Sequence, residues 1–330
     1  MKKIIITVIV VVIMLSGFTV FKRFMEPPLQ VRTRFIMDTL CSIKVIGGKE
    51  VIPIIDKSFD AMEAVEAKFT IHKVGAPLYE FNKTGKQVSD PEILNLVRLA
   101  LDVSKKTNGA LDITIVPVMR AWGFYKGMTN RVPTEAEIKD AVSKTGYKYI
   151  AIEKRKLIKK KSYIQIDLGS MAKGYAVQKA ADLLRANGIK SALIDGGGNI
   201  YVIGTVAGKP WKVGIKNPRG EGVIGIVDAE DMAITTAGDY ERFFVKDGIN
   251  YHHIMNPKNG SPARGVASVT VMCESSTTAD AWDTALFVMG KDAALKKADE
   301  VKDIEILVVT DDGKKYTSTK MTKDMVKNGK

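Results

Sequence analysis

Cysteine and the common nucleotide-binding motifs are what this sequence has least of. Its 330 residues include two cysteines, Cys41 and Cys273, and no CxxC pair, which excludes a disulfide-rich scaffold and a cysteine zinc site. The two lie far apart in apparent strands, which fits either buried thiols or one disulfide in an oxidising compartment. The three-glycine stretch LIDGGGNIYVIG does not match GxGxxG, and no GxxxxGK(S/T) occurs, which argues against Rossmann and P-loop nucleotide sites.

Acidic residues are fewer than basic ones, 37 against 50, and the formal net charge is +13. The lysines are nevertheless scattered through predicted helices and loops, and KRKLIKKKS at 154–162 is the only dense basic run. This pattern indicates a solvated hairpin edge, compatible with acidic lipid headgroups nearby, and does not favour nucleic acid as a partner.

The N-terminus lacks the usual processing signals. An uncharged, largely apolar run from Ile4 to Phe21 lies between two lysines and Lys22, and its length is that of a membrane-spanning helix. No A-x-A cleavage signature follows it, and Phe18 stands where a lipoprotein would carry its lipidated cysteine. We expect residues 1–25 to anchor the chain at the extracytoplasmic face of the cell membrane, with a cleaved signal segment as the alternative.

The remaining residues show helices and strands without strict alternation. Helices are predicted at about 55–69, from Pro91 to before Gly109, and between Thr134 and Gly146. Several predicted strands succeed one another, which favours an α+β fold with a mixed or largely antiparallel sheet flanked by helices. The predicted strands are 39–46, 162–168, 191–194, 199–204, 211–216, 223–228, 266–273 and 304–310, and a second lobe is placed near 205.

Two glycine-containing turns follow predicted strands. Alternation ends at Asp167, and a turn then leads into a helix that carries Lys173. A strand-end carboxylate, helix-start amides and a cation suit a phosphate-bearing ligand or a metal, although an ordinary turn with a solvent-facing lysine has the same pattern. Three glycines, 196–198, allow a ligand to approach the backbone closely or simply form a bulge.

The stretch ESSTTADAWDTALFVMG predicts a helix capped by Ser276 or Thr277. Asp280 and Thr284 are one turn apart on one face, so both can direct oxygen toward one hard cation such as Mg²⁺. The alternative is that Asp280 complements the helix N-terminus and Thr284 packs. Asp283 is expected to project to a different side, toward solvent.

Two of the three histidines are adjacent, His252 and His253. A histidine held near neutrality could deprotonate a hydroxyl group, but such a pair is also consistent with a structural role, and the spacing matches no zinc motif. Upstream, Trp122 and Phe124 are predicted to belong to the core rather than to stack on a ligand.

Six segments in this order resemble the FAD:protein FMN transferase family, also called ApbE. They span about residues 35 to 310 and read GALDITIVPVMRAWGF, IDLGSMAKGYAV, GGGNIYVIG, TTAGDYERFF, HHIMNPKNGSPA and ADAWDTALFVMG. The resemblance implies that residues 26–330 form one ApbE-like domain of two closely packed lobes, with FAD in the cleft between them. It implies FAD contacts at Met37, His72, Ala110, Leu111, Asp112, Asp167, Lys173 and Ile254.

The resemblance also implies the reaction. Mg²⁺ would be held by a backbone oxygen of Ser170 and by Asp280 and Thr284, and FMN would pass from FAD to a Thr or Ser hydroxyl with release of AMP. His253 matches the family histidine and is the expected base. The implied acceptors are exported or membrane flavoproteins, such as subunits of Rnf-type complexes or of sodium-pumping NADH:quinone reductase.

Two alternatives are a Mg²⁺-dependent FAD pyrophosphatase and a non-catalytic anchored FAD-binding protein; a solute-binding protein would need no metal residues. The segment 75–82 and His72 depart from the family pattern, which commonly has a Ser-Glu-Leu-like element and a tyrosine there. These departures concern the contacts with the isoalloxazine ring.

Overall fold

The computed structural model describes residues 28–301, 303–321 and 326–327. The predicted anchor at 1–25 lies outside these ranges. No helix in the described ranges is long and apolar enough to cross a membrane.

Eight α-helices occur in the described ranges, and the three helices predicted from capping and periodicity are confirmed among them. Asp90 accepts hydrogen bonds from the amides of Glu92 and Ile93, and Thr134 and Glu137 form a reciprocal capping box. The helices are α1 (Ile52–Phe69), α2 (Pro77–Thr84), α3 (Pro91–Lys106), α4 (Val116–Trp122), α5 (Glu135–Ser143), α6 (Gly169–Ala186), α7 (Ser276–Met289) and α8 (Lys291–Val301).

An eight-stranded sheet forms the centre of the fold, and its strands pair in the order β1-β2-β5-β6-β10-β15-β16-β17. All of these pairings are antiparallel. The α+β class with a largely antiparallel sheet is therefore confirmed. The strands are β1 (Leu29–Ile36), β2 (Thr39–Ile46), β5 (Ala192–Asp195), β6 (Ile200–Ile203), β10 (Ala233–Gly238), β15 (Val266–Cys273), β16 (Glu305–Thr310) and β17 (Lys315–Thr317).

A second sheet of four strands begins at Thr205, close to the predicted start of a second lobe. Its order is β18 (Val326–Lys327), β9 (Val223–Ala229), β8 (Lys209–Lys216) and β7 (Thr205–Val206). Three two-stranded units complete the described strands: β3–β4 (Ile150–Glu153, Lys156–Lys159), β11–β12 (Phe243–Lys246, Ile249–His252) and β13–β14 (Met255–Asn256, Ser261–Pro262). The basic run at 154–162 covers the turn and the second strand of the β3–β4 hairpin. The two-lobe division stays a prediction.

The core has two main parts, on either side of the central sheet. The larger part includes α1, α6 and α7, whose apolar faces contribute Phe59, Val177 and Phe287. A smaller cluster joins the central sheet to the four-stranded sheet through residues such as Val202, Trp211 and Met272. The core on both faces of the sheet explains why β15 is almost entirely buried and mostly apolar.

Residues 162–168 do not form the predicted strand. Ile164 and Ile166 are fully buried, as the alternation predicts, but no strand pairs beside them. The side-chain amide of Asn82 takes that place, because its Nδ2 donates to the Ile166 carbonyl and its Oδ1 accepts from the Ile166 amide, both at 2.8 Å. A side chain thus satisfies backbone groups that a neighbouring strand would otherwise bond.

The two cysteines are free thiols on separate strands. Cys41 is buried in β2, and Cys273 is half-buried at the end of β15. Of the two alternatives left open by the sequence, the structure has the thiols and no disulfide between them.

Candidate active site

The site is built where α6 contacts α7. The amide of Gly174 on α6 donates a 2.7 Å hydrogen bond to Asp280 Oδ2 on α7. A Cβ atom at position 174 would lie 2.3 Å from the Ser276 carbonyl oxygen and 2.5 Å from Asp280 Cβ. Only glycine fits this approach. Helix α7 is capped by Ser275, whose side chain accepts a hydrogen bond from the Thr278 amide. The predicted caps, Ser276 and Thr277, lie inside the helix.

Asp283 is buried beside Asp280, and the prediction that it faces solvent is wrong. Asp280 is 5% exposed and Asp283 2% exposed. Burial raises the pKa of Asp280 to about 6, against the opposing effects of the Lys173 charge and the Gly174 amide. Burial and the negative charge of Asp280 raise the pKa of Asp283 well above its ordinary value. Ionising both carboxyl groups at this buried point is therefore unfavourable without a positive charge beside them.

Thr284 lies next to this pair. Its Oγ1 donates a hydrogen bond of 3.2 Å to Asp283 Oδ1. Two carboxyl groups and one hydroxyl group therefore lie together on α7. No ion pair of either carboxylate occurs among the described residues, and the cation whose charge lowers the pKa of both is Lys173.

Asp167 lies at the start of α6 and connects it to two other segments. Its Oδ1 accepts from the Gly169 amide, and its own amide donates to the Ile113 carbonyl. Its Oδ2 accepts from the Tyr125 hydroxyl at 2.9 Å. The ring of Tyr125 meets the ring of His72 edge to face, with centroids 5.0 Å apart. His72 and Asp167, both predicted to contact FAD, are thus joined through Tyr125.

The segment 110–112 is buried and supports the site from behind. Ala110 and Leu111 are 6% and 2% exposed. The carboxylate of Asp112 accepts from the amide and hydroxyl of Thr114 and from the amide of Tyr147. Its pKa is raised by burial, which these hydrogen bonds oppose. In this structure the side chain of Asp112 fixes a loop.

Met37 lies in the tight turn between β1 and β2, where it and Asp38 have φ values of 53° and 58°. The next residue, Thr39, abuts the three-glycine loop: a Cβ atom on Gly197 would lie 2.3 Å from Thr39 Oγ1. Lys126 forms a 3.3 Å ion pair with Asp38. Met37 is therefore placed near both the glycine loop and the segment that carries Tyr125.

The two histidines have different environments. His252 is 2% exposed; its Nε2 is 2.7 Å from the Ala263 carbonyl oxygen and its Nδ1 accepts from the Ile254 amide. Both ring nitrogens are used, so His252 is structural. Among the described residues, the ring of His253 forms a hydrogen bond only through Nδ1, which is 3.2 Å from the Arg242 carbonyl oxygen. Burial, followed by the charges of Arg242 and Lys173, lowers the pKa of His253 well below its ordinary value.

Lys173 connects the predicted metal residues with the predicted base. Its charge lowers the pKa of Asp280 and also that of His253. Ile254, which follows His253, is buried and its carbonyl accepts from the Ala263 amide. Ser170 lies in the first turn of α6, three residues before Lys173. Within the described ranges no hydrogen bond joins Ser170 to Asp280.

Sequence reasoning missed three residues of the site: Gly174, Asp283 and Tyr125. Gly174 and Asp283 stand inside motifs that the sequence analysis had singled out, and helical spacing could have found Asp283. Tyr125 had no such signal, because its partner Asp167 is 42 residues away. Trp122 and Phe124, in contrast, are buried in an aromatic cluster as predicted.

The donor set suits a hard cation that keeps few protein ligands. No group of three or more His, Cys, Asp or Glu is arranged to hold a metal in the part of the chain that the structure describes. What is present is a buried carboxylate pair without an ion-pair partner and a hydroxyl. Oxygen donors of this kind, few in number, are compatible with a cation that is also bound by water and by substrate phosphates.

Comparison with known proteins gives the family. The ApbE family model matches residues 37–308. A protein from Vibrio cholerae called FAD:protein FMN transferase is 34% identical over 271 residues, covering 78% of this chain and 80% of the relative. One of that name from Haemophilus influenzae is 30% identical and covers 97% of this chain and 100% of the relative.

Solved structures agree with the sequence relatives. The crystal structure of the ApbE protein from Thermotoga maritima superposes with a TM-score of 0.82 at 34% identity, covering 88% of this chain and 97% of that one. The flavin transferase ApbE from Vibrio cholerae gives a TM-score of 0.78 at 30% identity, covering 88% and 98%. On this evidence, the chain belongs to the ApbE family.

Proposed function

We propose that this chain transfers FMN from FAD to a Thr or Ser hydroxyl of an exported flavoprotein, depends on Mg²⁺ and releases AMP. The relatives called FAD:protein FMN transferase support the reaction class. The observation that carries the proposal is the buried pair Asp280 and Asp283 beside Lys173, whose charge also acts on His253.

Asp280, Thr284 and a backbone oxygen of Ser170 would hold the magnesium ion. When bound, Mg²⁺ would offset charge on the FAD pyrophosphate and favour AMP as the leaving group. Lys173, in the first turns of α6, would contribute a second positive charge toward the same phosphates. Asp280 is oriented for this role by the Gly174 amide, which occupies its other oxygen.

His253 is the proposed base. With Nδ1 at the Arg242 carbonyl, the tautomer that donates from Nδ1 leaves the Nε2 lone pair free. Its lowered pKa keeps the ring neutral at pH 7. Nε2 would take the proton of the acceptor hydroxyl as that oxygen bonds to the FMN phosphorus and the bond from phosphorus to the AMP oxygen breaks.

The flavin-binding residues are proposed from their placement. Met37, His72, Asp167 and the segment 110–112 would line the FAD site together with Lys173 and Ile254. Asp112 and Ile254 would act through backbone position, since the side chain of Asp112 is used internally. His72 and Tyr125 offer the aromatic surface at the position where the sequence departs from the family pattern.

Location and partner are proposed from the sequence. Residues 1–25 would hold the enzyme at the outer face of the cell membrane. The acceptor would be an exported or membrane flavoprotein, such as a subunit of an Rnf-type complex or of NADH:quinone reductase.

The test incubates the full chain in mild detergent with FAD, Mg²⁺ and an exported flavoprotein as acceptor. We expect intact-mass spectrometry to show an FMN increment on the acceptor, and chromatography to show one AMP for each increment. Asp280→Asn and His253→Gln should abolish the increment, and Asp56→Asn, an exposed position on α1, should not. Free FMN without a labelled acceptor would indicate a pyrophosphatase, and FAD bound without turnover a binding protein.

A further inference from the structure

The position of Asp283 on α7 needs an explanation. It is 2% exposed, and no ion pair of its carboxylate occurs in the described ranges. Burying a carboxylate without a counter-ion costs several kcal/mol, so something in the folded protein must compensate for it. The helix N-terminus does not, because Asp283 lies seven residues after the first helical residue, Ser276, and the dipole effect falls off within the first turn.

The contacts of Asp283 point to Thr284. The hydroxyl of Thr284 donates its proton to Asp283 Oδ1 at 3.2 Å. When a hydroxyl group donates its only proton to one partner, its oxygen lone pairs point in other directions. Thr284 is therefore kept in the state in which its oxygen accepts, and a cation requires an accepting oxygen.

The charge of Asp283 acts at the same place. Asp280 and Asp283 are on one face of α7, since residues three apart on a helix are neighbours, and each is buried. The charge of Asp280 raises the pKa of Asp283, whereas the charge of Lys173 lowers the pKa of both groups. A divalent cation bound beside them would favour the ionised form of both. A divalent cation would be attracted more strongly by two carboxylates than by one in this setting.

We propose that Asp283 is a positioning residue of the cation site: it orients the Thr284 hydroxyl and adds negative charge, without itself being a ligand. This inference rests on the magnesium site of the proposed function. Carboxylates that orient a metal ligand in this way commonly change metal affinity by about 10- to 100-fold when they are removed.

The experiment measures binding of Mn²⁺ alone to the full chain, by the loss of the free-ion electron paramagnetic resonance signal. Asp283→Ser should weaken the affinity by roughly 10- to 100-fold. Asp283→Asn keeps an oxygen that accepts a hydrogen bond from Thr284, so this change should weaken the Mn²⁺ affinity less. Asp239→Asn is the control, because Asp239 is also buried but its carboxylate pairs with Arg219 and not with Asp280, Asp283 or Thr284. This variant should lower the thermal midpoint and leave the Mn²⁺ affinity unchanged.

Combining the change with Thr284→Val tests positioning directly. If Asp283 acts through Thr284, then Asp283→Ser should weaken binding much less in the Thr284→Val background than in the native one. An equal effect in both backgrounds would overturn the positioning role. So would a folded Asp283→Ser protein with native Mn²⁺ affinity, whose only defect is a lower thermal midpoint. If the native chain binds no Mn²⁺, the magnesium part of the proposed function fails as well. If the native chain binds Mn²⁺ and the Asp283 substitutions leave that affinity unchanged, only the inference about Asp283 is refuted.

Discussion

The amide of Gly174 donates a hydrogen bond to Asp280 Oδ2 across 106 residues of sequence. The bond sets the distance between α6 and α7. It also fixes one oxygen, Oδ2, of the carboxylate that is proposed to hold the cation. The same contact therefore determines helix packing and the geometry of the proposed metal site.

Gly174→Ala should disturb both the packing of α6 against α7 and the proposed metal site. The added methyl group would lie 2.3 Å from the Ser276 carbonyl oxygen, so α6 and α7 must separate, at a cost of about 1–3 kcal/mol of unfolding free energy. We expect a lower midpoint in denaturant titration together with weaker Mn²⁺ binding. Asp182→Ala, on the exposed side of the same helix, serves as the control. A Gly174→Ala protein with native stability would contradict the close packing.

The two histidines should separate in their effects. His253→Gln should lower the FMN transfer rate by about 10²–10⁴-fold and leave stability nearly unchanged. His252→Gln disturbs two buried hydrogen bonds and should cost about 1–3 kcal/mol of unfolding free energy. Transfer assays and urea titrations of both variants check this. Equal rate losses without loss of stability in His252→Gln would contradict the assignment.

The pH dependence follows from the lowered pKa of His253, whose usual value is 6.5. Below that pH the folded protein binds fewer protons than the unfolded chain. The contribution of His253 to the free energy of unfolding is therefore present above pH 6.5, and it is lost as the pH falls toward the pKa of His253 in the folded protein. As a base it stays neutral through pH 6.5. An NMR titration of the His253 ring should therefore show no protonation step near pH 6.5. The ring signal is followed because Asp280, whose pKa is raised to about 6, would itself give the rate profile an acid limb in this range. A protonation step of His253 near 6.5 would contradict its lowered pKa.

Two buried tryptophans form a matched pair for a hydrogen-bond test. Trp122 Nε1 donates to the Gly260 carbonyl at 2.7 Å, whereas Trp211 Nε1 is buried and has no hydrogen-bond partner among the described residues. Both substitutions to Phe remove similar volume. Trp122→Phe should cost about 1–3 kcal/mol more than Trp211→Phe, because only the former leaves a buried carbonyl unpaired. Thermal and urea denaturation of both variants measures the difference, and equal losses would refute it.

The thiols should be unreactive in the native protein. Burial is the main cause that raises the pKa of Cys41 and of Cys273 to about 11, so almost no thiolate exists at pH 8. We expect slow labelling by an aromatic disulfide reagent in buffer and the rapid release of two equivalents per chain in urea. Reductant should not shift the thermal midpoint. A midpoint that falls in reductant would indicate a disulfide.

Local sequence patterns were sufficient to predict most of the secondary structure. Asp90-Pro91 and the pair Thr134 and Glu137 predicted helix starts correctly, because capping depends on residues within one turn. The strand expected at 162–168 was wrong, although its alternate burial was right. Its partner is the side chain of Asn82, and a pairing over 84 residues leaves no local pattern.

The site was predictable in part for the same reason. Asp280 and Thr284 follow from helical spacing, and Asp283 could have followed too, since positions three apart also share a face. It was wrongly placed in solvent because charged side chains are ordinarily exposed. The hydrogen bond from Tyr125 to Asp167 depends on how distant segments pack, which spacing does not encode.

The strand order of the central sheet has a consequence for how the chain acquires its fold. β2 pairs with β5, with Ile43 opposite Ile194, and β15 pairs with both β10 and β16. Such distant pairings lose chain entropy before they gain contacts, so folding should be slow. Until residues 305–317 are available, the mostly apolar β15 has one open edge, along which chains can aggregate. Protection of this edge from self-association therefore comes only with residues 305–317.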